Sequence, residues 1–259
     1  MMLAEKGSHV KVNKMSSHEV CIADLDRHAS LNKCLLELLE TAPVNYLLSF
    51  DVDYAVVPWS GGKDSTATLI PSLKALDKKV VPVFADTGLE FKETLKYVDD
   101  LACQLGISPI KLKAPIKEAI EFGRELPTIR NRWYMHLKVK ATQEYIRQLS
   151  KTGKVLMIVG DREAESPSRL KRLATIEHED HVEVAPIKLW SAMHVQLYLT
   201  YNKVPLNPMY DYGFFRVGCY ICLALRSWET SLILGDDRLK YVKANLLFKV
   251  FAKEREVSI

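Results

Sequence analysis

Ser60-Gly61-Gly62-Lys63-Asp64-Ser65-Thr66 gathers into one short segment the groups that hold phosphate. Two glycines let a backbone approach an anion and turn its N–H groups inward. Ser60, Ser65 and Thr66 add hydroxyl donors, and Lys63 adds a full charge. If the segment opens a helix, the free N–H groups and partial positive charge of that end add to the cradle. The segment is not a Walker A loop. Val57 stands where that motif needs its first glycine, and Asp64 stands where it needs Ser or Thr after the lysine. A glycine turn capped by Asp64 or Ser65 is the plain structural alternative.

Three further places carry chemistry. Asp86 is placed to hold a ribose hydroxyl, a loop N–H or a Mg²⁺ ion. Its competing role is to cap the helix that begins near Glu90. The guanidinium of Arg162 suits bidentate binding of phosphate or sulfate. Arg169 follows it on a helix, where a surface ion pair is an equal role. Cys219 and Cys222 form a C-x-x-C pair, a spacing that lowers a thiol pKa and favours thiolate.

The elements that must position these residues alternate. Strands are predicted over 54–59, 80–85, 110–112, 155–159 and 181–186. Helices are predicted over 64–76, 90–105, 115–122 and 136–149, with Pro71 expected to kink or shorten the first. Such alternation means an α/β fold: a twisted, mostly parallel sheet with helices on both faces. In these sheets ligands bind at the carboxyl ends of the strands, which is where Ser60–Thr66, Asp86 and Arg162 fall. Pro58 lacks a ladder donor, a harmless loss at the end of a strand. Upstream, Leu31, Cys34, Leu35, Leu38 and Leu39 recur at helical spacing and predict an amphipathic helix or helix pair over 28–50. Residues 1–27 lack periodicity and read as an arm. Downstream, 236–253 reads as helix. The expected organisation is an arm and helical cap over 1–50, a nucleotide-binding domain over 51–226 and a helical tail over 227–259.

The Ser60–Ser65 loop resembles the pyrophosphate loop (PP-loop) of the adenine-nucleotide α-hydrolase superfamily. Asp86-Thr87-Gly88-Leu89-Glu90 resembles the D-T-G-x-E segment of the phosphoadenosine-phosphosulfate (PAPS) reductase family within it. Gly160 to Ser166, with Arg169, resembles that family's G-x-R-x-x-x-S-x-x-R element. Pro186-Ile187 with Trp190 resembles P-I/L-x-x-W, and Asn207 to Asp211 running to Gly218–Cys222 resembles N-P-L-Y … G-C-x-x-C. These matches stand in family order and imply a Rossmann-like PP-loop fold over roughly 54–226. They imply an adenine-nucleotide-binding enzyme that reduces PAPS or adenosine phosphosulfate (APS), or transfers sulfur. By resemblance, the loop holds phosphates, Lys138 and Arg162 clamp the anionic end, and Cys219 or Cys222 supplies the thiol. The rival functions are an ATP pyrophosphatase adenylating a substrate for thiolation, with Mg²⁺ bridging the phosphates, or a nucleotide-binding subunit without catalysis. A thioredoxin-like reductant fits the first; a nucleic-acid substrate fits the rival. A homo-oligomer is the expected assembly.

Two departures from the family pattern matter. Arg132-Trp133-Tyr134 with Lys138 resembles the family's R-W-C-x-x-x-K/R segment, but Tyr134 stands at the cysteine place. In the family that cysteine joins the later pair around an iron–sulfur cluster. A four-iron cluster wants four thiolates. Cys34 and Cys103 are expected in apolar helix faces, so no complete cluster is expected. The pair is then either a redox or metal site or the relic of one. Residues 223–259 contain no cysteine, so the nucleophile that family reductases carry near the C-terminus is missing there.

Composition narrows the class. The chain has 259 residues, 48% of them hydrophobic and 26% charged, as in ordinary globular proteins. A net charge of +4 suits a small anionic ligand and does not itself argue for nucleic acid. No apolar run is long enough to span a bilayer, and no secretory pattern opens the chain. Five cysteines are no disulfide framework in a chain of this length. A reducing cytoplasm is the expected compartment.

Overall fold

The computed structural model describes residues 25–128 and 130–255. The expected arm, 1–27, and Cys21 lie almost wholly or wholly outside them. Helical residues 25–31 lead into α1 (Lys33–Leu48). β1 (Tyr54–Pro58), α2 (Lys63–Leu76), β2 (Val80–Asp86), α3 (Lys92–Leu105) and β3 (Ile110–Lys113) follow. Next come α4 (Ile116–Glu121), α5 (Trp133–Leu149), β4 (Val155–Ile158), α6 (Pro167–Leu170), β5 (Thr175–Glu177), β6 (Val182–Val184) and α7 (Ala192–Tyr201). The strands form one sheet in the order β3-β2-β1-β4-β6-β5, parallel except for the β5–β6 pair. The chain steps outward from β1 through β2 to β3, then returns to the other side of β1 for β4. A crevice opens at such a reversal.

β1 is buried along Ala55, Val56 and Val57, as a central parallel strand must be, because helices cover both faces. One core packs α1, α2, α3 and α7 residues against the sheet, with Leu47, Leu69, Phe84, Leu101, Leu156 and Tyr198 inside. Pro71 does not shorten α2: it is buried within an unbroken helix. Burial against α1 and α7 outweighs a local cost of about 3 kcal/mol. Among the described residues no helix is long and apolar enough to cross a membrane.

Three expectations are corrected. The buried side of α1 is Leu36, Pro43 and Leu47, whereas Leu31, Leu35 and Leu38 are exposed. Cys34 and Cys103 are both exposed rather than core residues. In α1 the apolar residues wrap too widely for spacing alone to say which face packs. In α3 the buried stripe is Thr94, Tyr97, Val98, Leu101 and Ala102, and Cys103 stands on the other side, four residues after Asp99. After α8 (Ser227–Gly235), the single helix expected over 236–253 is instead two, α9 (Lys240–Lys243) and α10 (Leu246–Glu254). Asn245 breaks it, because its side chain accepts from the N–H groups of Leu247 and Phe248 and starts α10 afresh. These helices are not an appended tail. Ile233, Leu239, Val242, Phe248 and Phe251 share a second core with Leu89, Phe91, Ile116, Trp133, Tyr134 and Cys219.

Candidate functional site

The Ser60–Thr66 turn leaves β1 at the β1–β4 reversal and enters α2 at Lys63. Gly61 adopts φ +73°, and a Cβ there would stand 2.9 Å from Val98 Cγ2. Its carbonyl accepts from Asn207 Nδ2 at 3.1 Å, and the same amide donates to Thr94 Oγ1 at 3.2 Å. Trp59 Nε1–H donates to Thr66 Oγ1 at 2.9 Å, which pins the start of the turn to the first turn of α2. The Ser60 N–H reaches Ser65 Oγ at 3.3 Å, and the Lys63 N–H reaches the Tyr210 hydroxyl at 3.0 Å. The turn is therefore organised, with donors facing hydroxyl groups that an anion can replace. Burial pushes the Tyr210 hydroxyl pKa up, so it stays a neutral partner.

Gly160 closes the turn from the other side of the crevice. A Cβ on it would lie 2.9 Å from both the carbonyl carbon and the oxygen of Asp64. Only glycine lets β4 come that near to α2. The cavity between them, about 210 Å³, is lined by Ser60, Gly62, Lys63, Asp64, Ser65 and Gly160, with Arg169 and Arg216 at its wall. Arg169 is aimed by Asp161 at 3.0 Å and by Glu165. The Lys63 ammonium lies over the rings of Tyr210 and Phe215, 5.2 and 5.4 Å from their centroids.

Several expected residues fall elsewhere. Arg162 is only 4% exposed and lines neither cavity at the turn. Its Nε donates to Asp64 Oδ1 at 2.7 Å and its Nη1 to the Trp190 carbonyl at 3.2 Å. It braces the turn from behind. Thr66 is fully buried and donates to the Gly62 carbonyl at 2.9 Å, so it also locks the turn from inside. Asp86 takes the loop N–H among its expected partners: its Oδ1 accepts the Gly88 N–H at 2.9 Å, in a bend where Gly88 has φ +74°. It does not cap α3, whose N-cap is Phe91. Asn207, Tyr210 and Arg216 carry site positions that the reading of the sequence gave no role. The signal for Asn207 and Tyr210 was the Asn207–Tyr210 segment, whose contact with the turn spans 146 residues of chain; Arg216 lies outside that segment.

A second cavity, about 120 Å³, opens over the ends of β1 and β2. Pro58, Trp59, Val83, Phe84 and Ala85 make an apolar floor, and Glu90, Lys138, Thr142 and Gly218 stand around it. Pro58 and Ser60 line both cavities. Beside it the D-T-G-L-E and C-x-x-C segments meet: Glu90 and Cys219 form an isolated antiparallel bridge, and the Tyr220 N–H donates to the Leu89 carbonyl at 3.0 Å.

Cys219 is buried and Cys222 half-buried. The Cys219 thiol donates to Cys222, the Ala224 N–H reaches Cys222 Sγ at 3.4 Å, and the Tyr134 hydroxyl also donates to it. With the positive charge of Lys138 added, these contacts hold the Cys222 pKa down at about 6 against the opposing effect of burial. The Cys219 pKa is raised, first by that same hydrogen bond and then by burial. One thiolate shared by two sulfurs is the expected state of such a pair near neutral pH. On half-buried Lys138, burial lowers the pKa, but Cys219, Glu90 and Cys222 outweigh it and keep the amine charged.

The donor set does not fit a four-thiolate cluster. Among the described residues two thiols meet here, and Tyr134 fills the third direction with a phenol, a poor ligand for iron–sulfur iron. Exposed Cys34 and Cys103 belong to neither core around the pair.

The family described as the phosphoadenosine phosphosulfate reductase domain matches residues 54–225. An uncharacterized protein of Methanocaldococcus jannaschii is 39% identical over 208 residues, covering 78% of this chain and 43% of that protein. The chain spans about half the length of the two M. jannaschii relatives it matches. The adenosine 5'-phosphosulfate reductase of a Chelativorans species is 25% identical over 63% of this chain and 66% of its own. Among solved structures, the PAPS reductase of Candida auris in complex with phosphate has a TM-score of 0.56 at 21% identity, covering 74% of this chain and 94% of that one. The U34-tRNA thiolase NcsA of Methanococcus maripaludis, solved with its 4Fe–4S cluster, has a TM-score of 0.50 at 12% identity over 87% and 78%. Both likenesses are of fold. The matched span runs from the first residue of β1 to just past Cys222 and takes in the turn and the thiol pair, so this chain belongs to the phosphoadenosine phosphosulfate reductase domain family.

Proposed function

We propose that this protein binds an adenine nucleotide across Ser60, and that Cys222 and Cys219 carry out a sulfur step on it. The observation that supports this most is the position of Lys138. It lines the apolar cavity that shares Ser60 with the phosphate turn, and its charge also acts on Cys222. The N–H groups of Ser60, Gly62 and Lys63 take phosphate oxygens in place of hydroxyls. Lys63, Arg169 and Arg216 supply charge, and the apolar floor takes the base. Asp64 is paired with Arg162 and Asp161 with Arg169 and Arg172, so a Mg²⁺ ion enters with the phosphates rather than into a ready carboxylate cage.

With a sulfonucleotide bound, the Cys222 thiolate attacks the sulfate sulfur. A sulfur–sulfur bond forms, the bond from sulfur to the phosphate oxygen breaks, and its electron pair leaves with the nucleotide. Cys219 then loses its proton to solvent and attacks Cys222 Sγ. Sulfite leaves with the electron pair of the sulfur–sulfur bond, and a disulfide remains. The sulfate-level sulfur gains two electrons and the two thiols lose them. A dithiol reductant of the thioredoxin class restores the pair.

A second reading is favoured by one observation: Arg162, the cation that resemblance assigns to the distal anion, is engaged by Asp64 and Trp190. In that reading the ligand is ATP, the products are an adenylate and pyrophosphate, and the thiol pair handles sulfur for a thiolated product such as a nucleic acid. Calorimetry with ATP, APS and PAPS in parallel, with sulfite and pyrophosphate release measured beside it, separates the two. Sulfite formed from APS or PAPS with a dithiol, and lost in Cys222→Ser, is the expected result. Pyrophosphate from ATP alone selects the second reading, and no binding of any of the three overturns both.

A further inference from the structure

The β5–β6 hairpin lies outside the nucleotide site. Val182 pairs in register with Leu156 of β4, so the hairpin turn stands at the amino edge of the sheet, opposite the phosphate turn. Ile176 pairs with Glu183 and Glu177 with Val182, and the His178 N–H continues the ladder to the His181 carbonyl at 2.9 Å. His178 and His181 are therefore cross-strand partners flanking a two-residue turn, Glu179-Asp180. Glu183, two residues after His181, projects to the same face. The imidazoles stack with centroids 4.4 Å apart and planes 10° from parallel. One ligand atom from each of His178, His181 and Glu183 lies within 4.8 Å of the others.

A second observation is independent of this grouping. His181 is nine-tenths buried, and its Nε2 has no hydrogen-bond partner among the described residues. Its Nδ1 is 2.7 Å from Asp180 Oδ1. A carboxylate on Nδ1–H leaves Nε2 as the bare lone pair, which is the tautomer a metal ion takes and the way proteins orient a metal-binding imidazole. A buried nitrogen without a partner is a group that native structures rarely leave so.

We propose that His178, His181 and Glu183 form a binding site for a divalent ion of the zinc class, with Asp180 orienting His181. Two imidazoles and a carboxylate suit Zn²⁺, and a water completes the tetrahedron. Ligand atoms about 2.0–2.1 Å from a tetrahedral ion stand roughly 3.4 Å from one another. The site closes by turning His178, whose side chain is 40% exposed and free to leave the stack. The ion would clip the edge strand β5 to β6, a pairing of three residues in register.

The thiol pair is a competing zinc site, so the test uses the full chain carrying Cys219→Ser and Cys222→Ser, stripped with chelator and titrated with Zn²⁺ alone. One ion per chain is expected, with X-ray absorption showing nitrogen and oxygen at about 2.0–2.1 Å and no sulfur shell at about 2.3 Å. Adding His178→Gln or Glu183→Gln should weaken binding at least as much as Asp180→Asn, for which about 10–100-fold is expected. His178 is exposed, so His178→Gln tests the site even if a change at buried His181 disturbs the fold. No zinc bound by the chain that lacks Cys219 and Cys222, or affinity unchanged by His178→Gln, overturns the proposal.

Discussion

The Cys222 thiolate is the feature whose failure would most damage the proposed chemistry. A pKa of about 6 leaves the pair about nine-tenths singly ionised at pH 7, against about one-hundredth for a thiol at its ordinary 9.0. Nucleophilicity falls with pKa, by roughly 15–30-fold over three units at a Brønsted slope of 0.4–0.5. The net gain in rate at pH 7 is therefore only about threefold to sixfold, and the midpoint of the pH profile is the better readout. Iodoacetamide labelling read by peptide mass should give a Cys222 rate that rises through about pH 6 and then levels. Exposed Cys34 and Cys103 serve as internal references. Tyr134→Phe removes one hydrogen bond to the thiolate, worth about 1.5–3 kcal/mol. At 1.36 kcal/mol per unit that moves the midpoint up by about 1–2 units. Lys138→Met should move it the same way, because the thiolate loses a nearby positive charge. A wild-type midpoint above about 8, or one indifferent to both changes, would refute this account of the pair.

Gly160→Val should abolish nucleotide binding measured by calorimetry, because the new Cβ meets Asp64 backbone at 2.9 Å and main chain cannot step aside. Arg162→Ala should act first on stability, lowering it by about 3–5 kcal/mol in denaturant unfolding, since it strips a buried partner from Asp64. Arg169→Ala and Arg216→Ala should leave the unfolding midpoint nearly unchanged and weaken nucleotide binding by about tenfold or more, as expected for a lost charge-assisted contact of about 1.5–3 kcal/mol. Anaerobically purified protein should contain no 4Fe–4S cluster; near-stoichiometric iron and sulfide would show that the thiol count at Tyr134, Cys219 and Cys222 misses ligands.

Much of this protein was legible because it is local. Strand–turn–helix at 54–76 is written in the short apolar run of Tyr54 to Val57, two glycines and a helix start, all within one βα unit. The alternation of such units carries the parallel sheet and the edge at which ligands bind. The missing cysteine at Tyr134 is likewise a fact of sequence. What tertiary structure decided are pairings between distant residues. Arg162 follows a strand end, as a clamp would, yet Asp64 stands 98 residues away in sequence and 2.7 Å away in space, and takes the guanidinium inward. Arg216 and Tyr210 reach the turn because the chain after α7 crosses the crevice, which no periodicity records. Apolar spacing in α1 allowed more than one buried face, and contact with α2 and α7 chose Leu36 over Leu35. Sequence spacing sets which residues can share a face; which of them meet a charge, a cavity or another core depends on elements that fold against them from far along the chain.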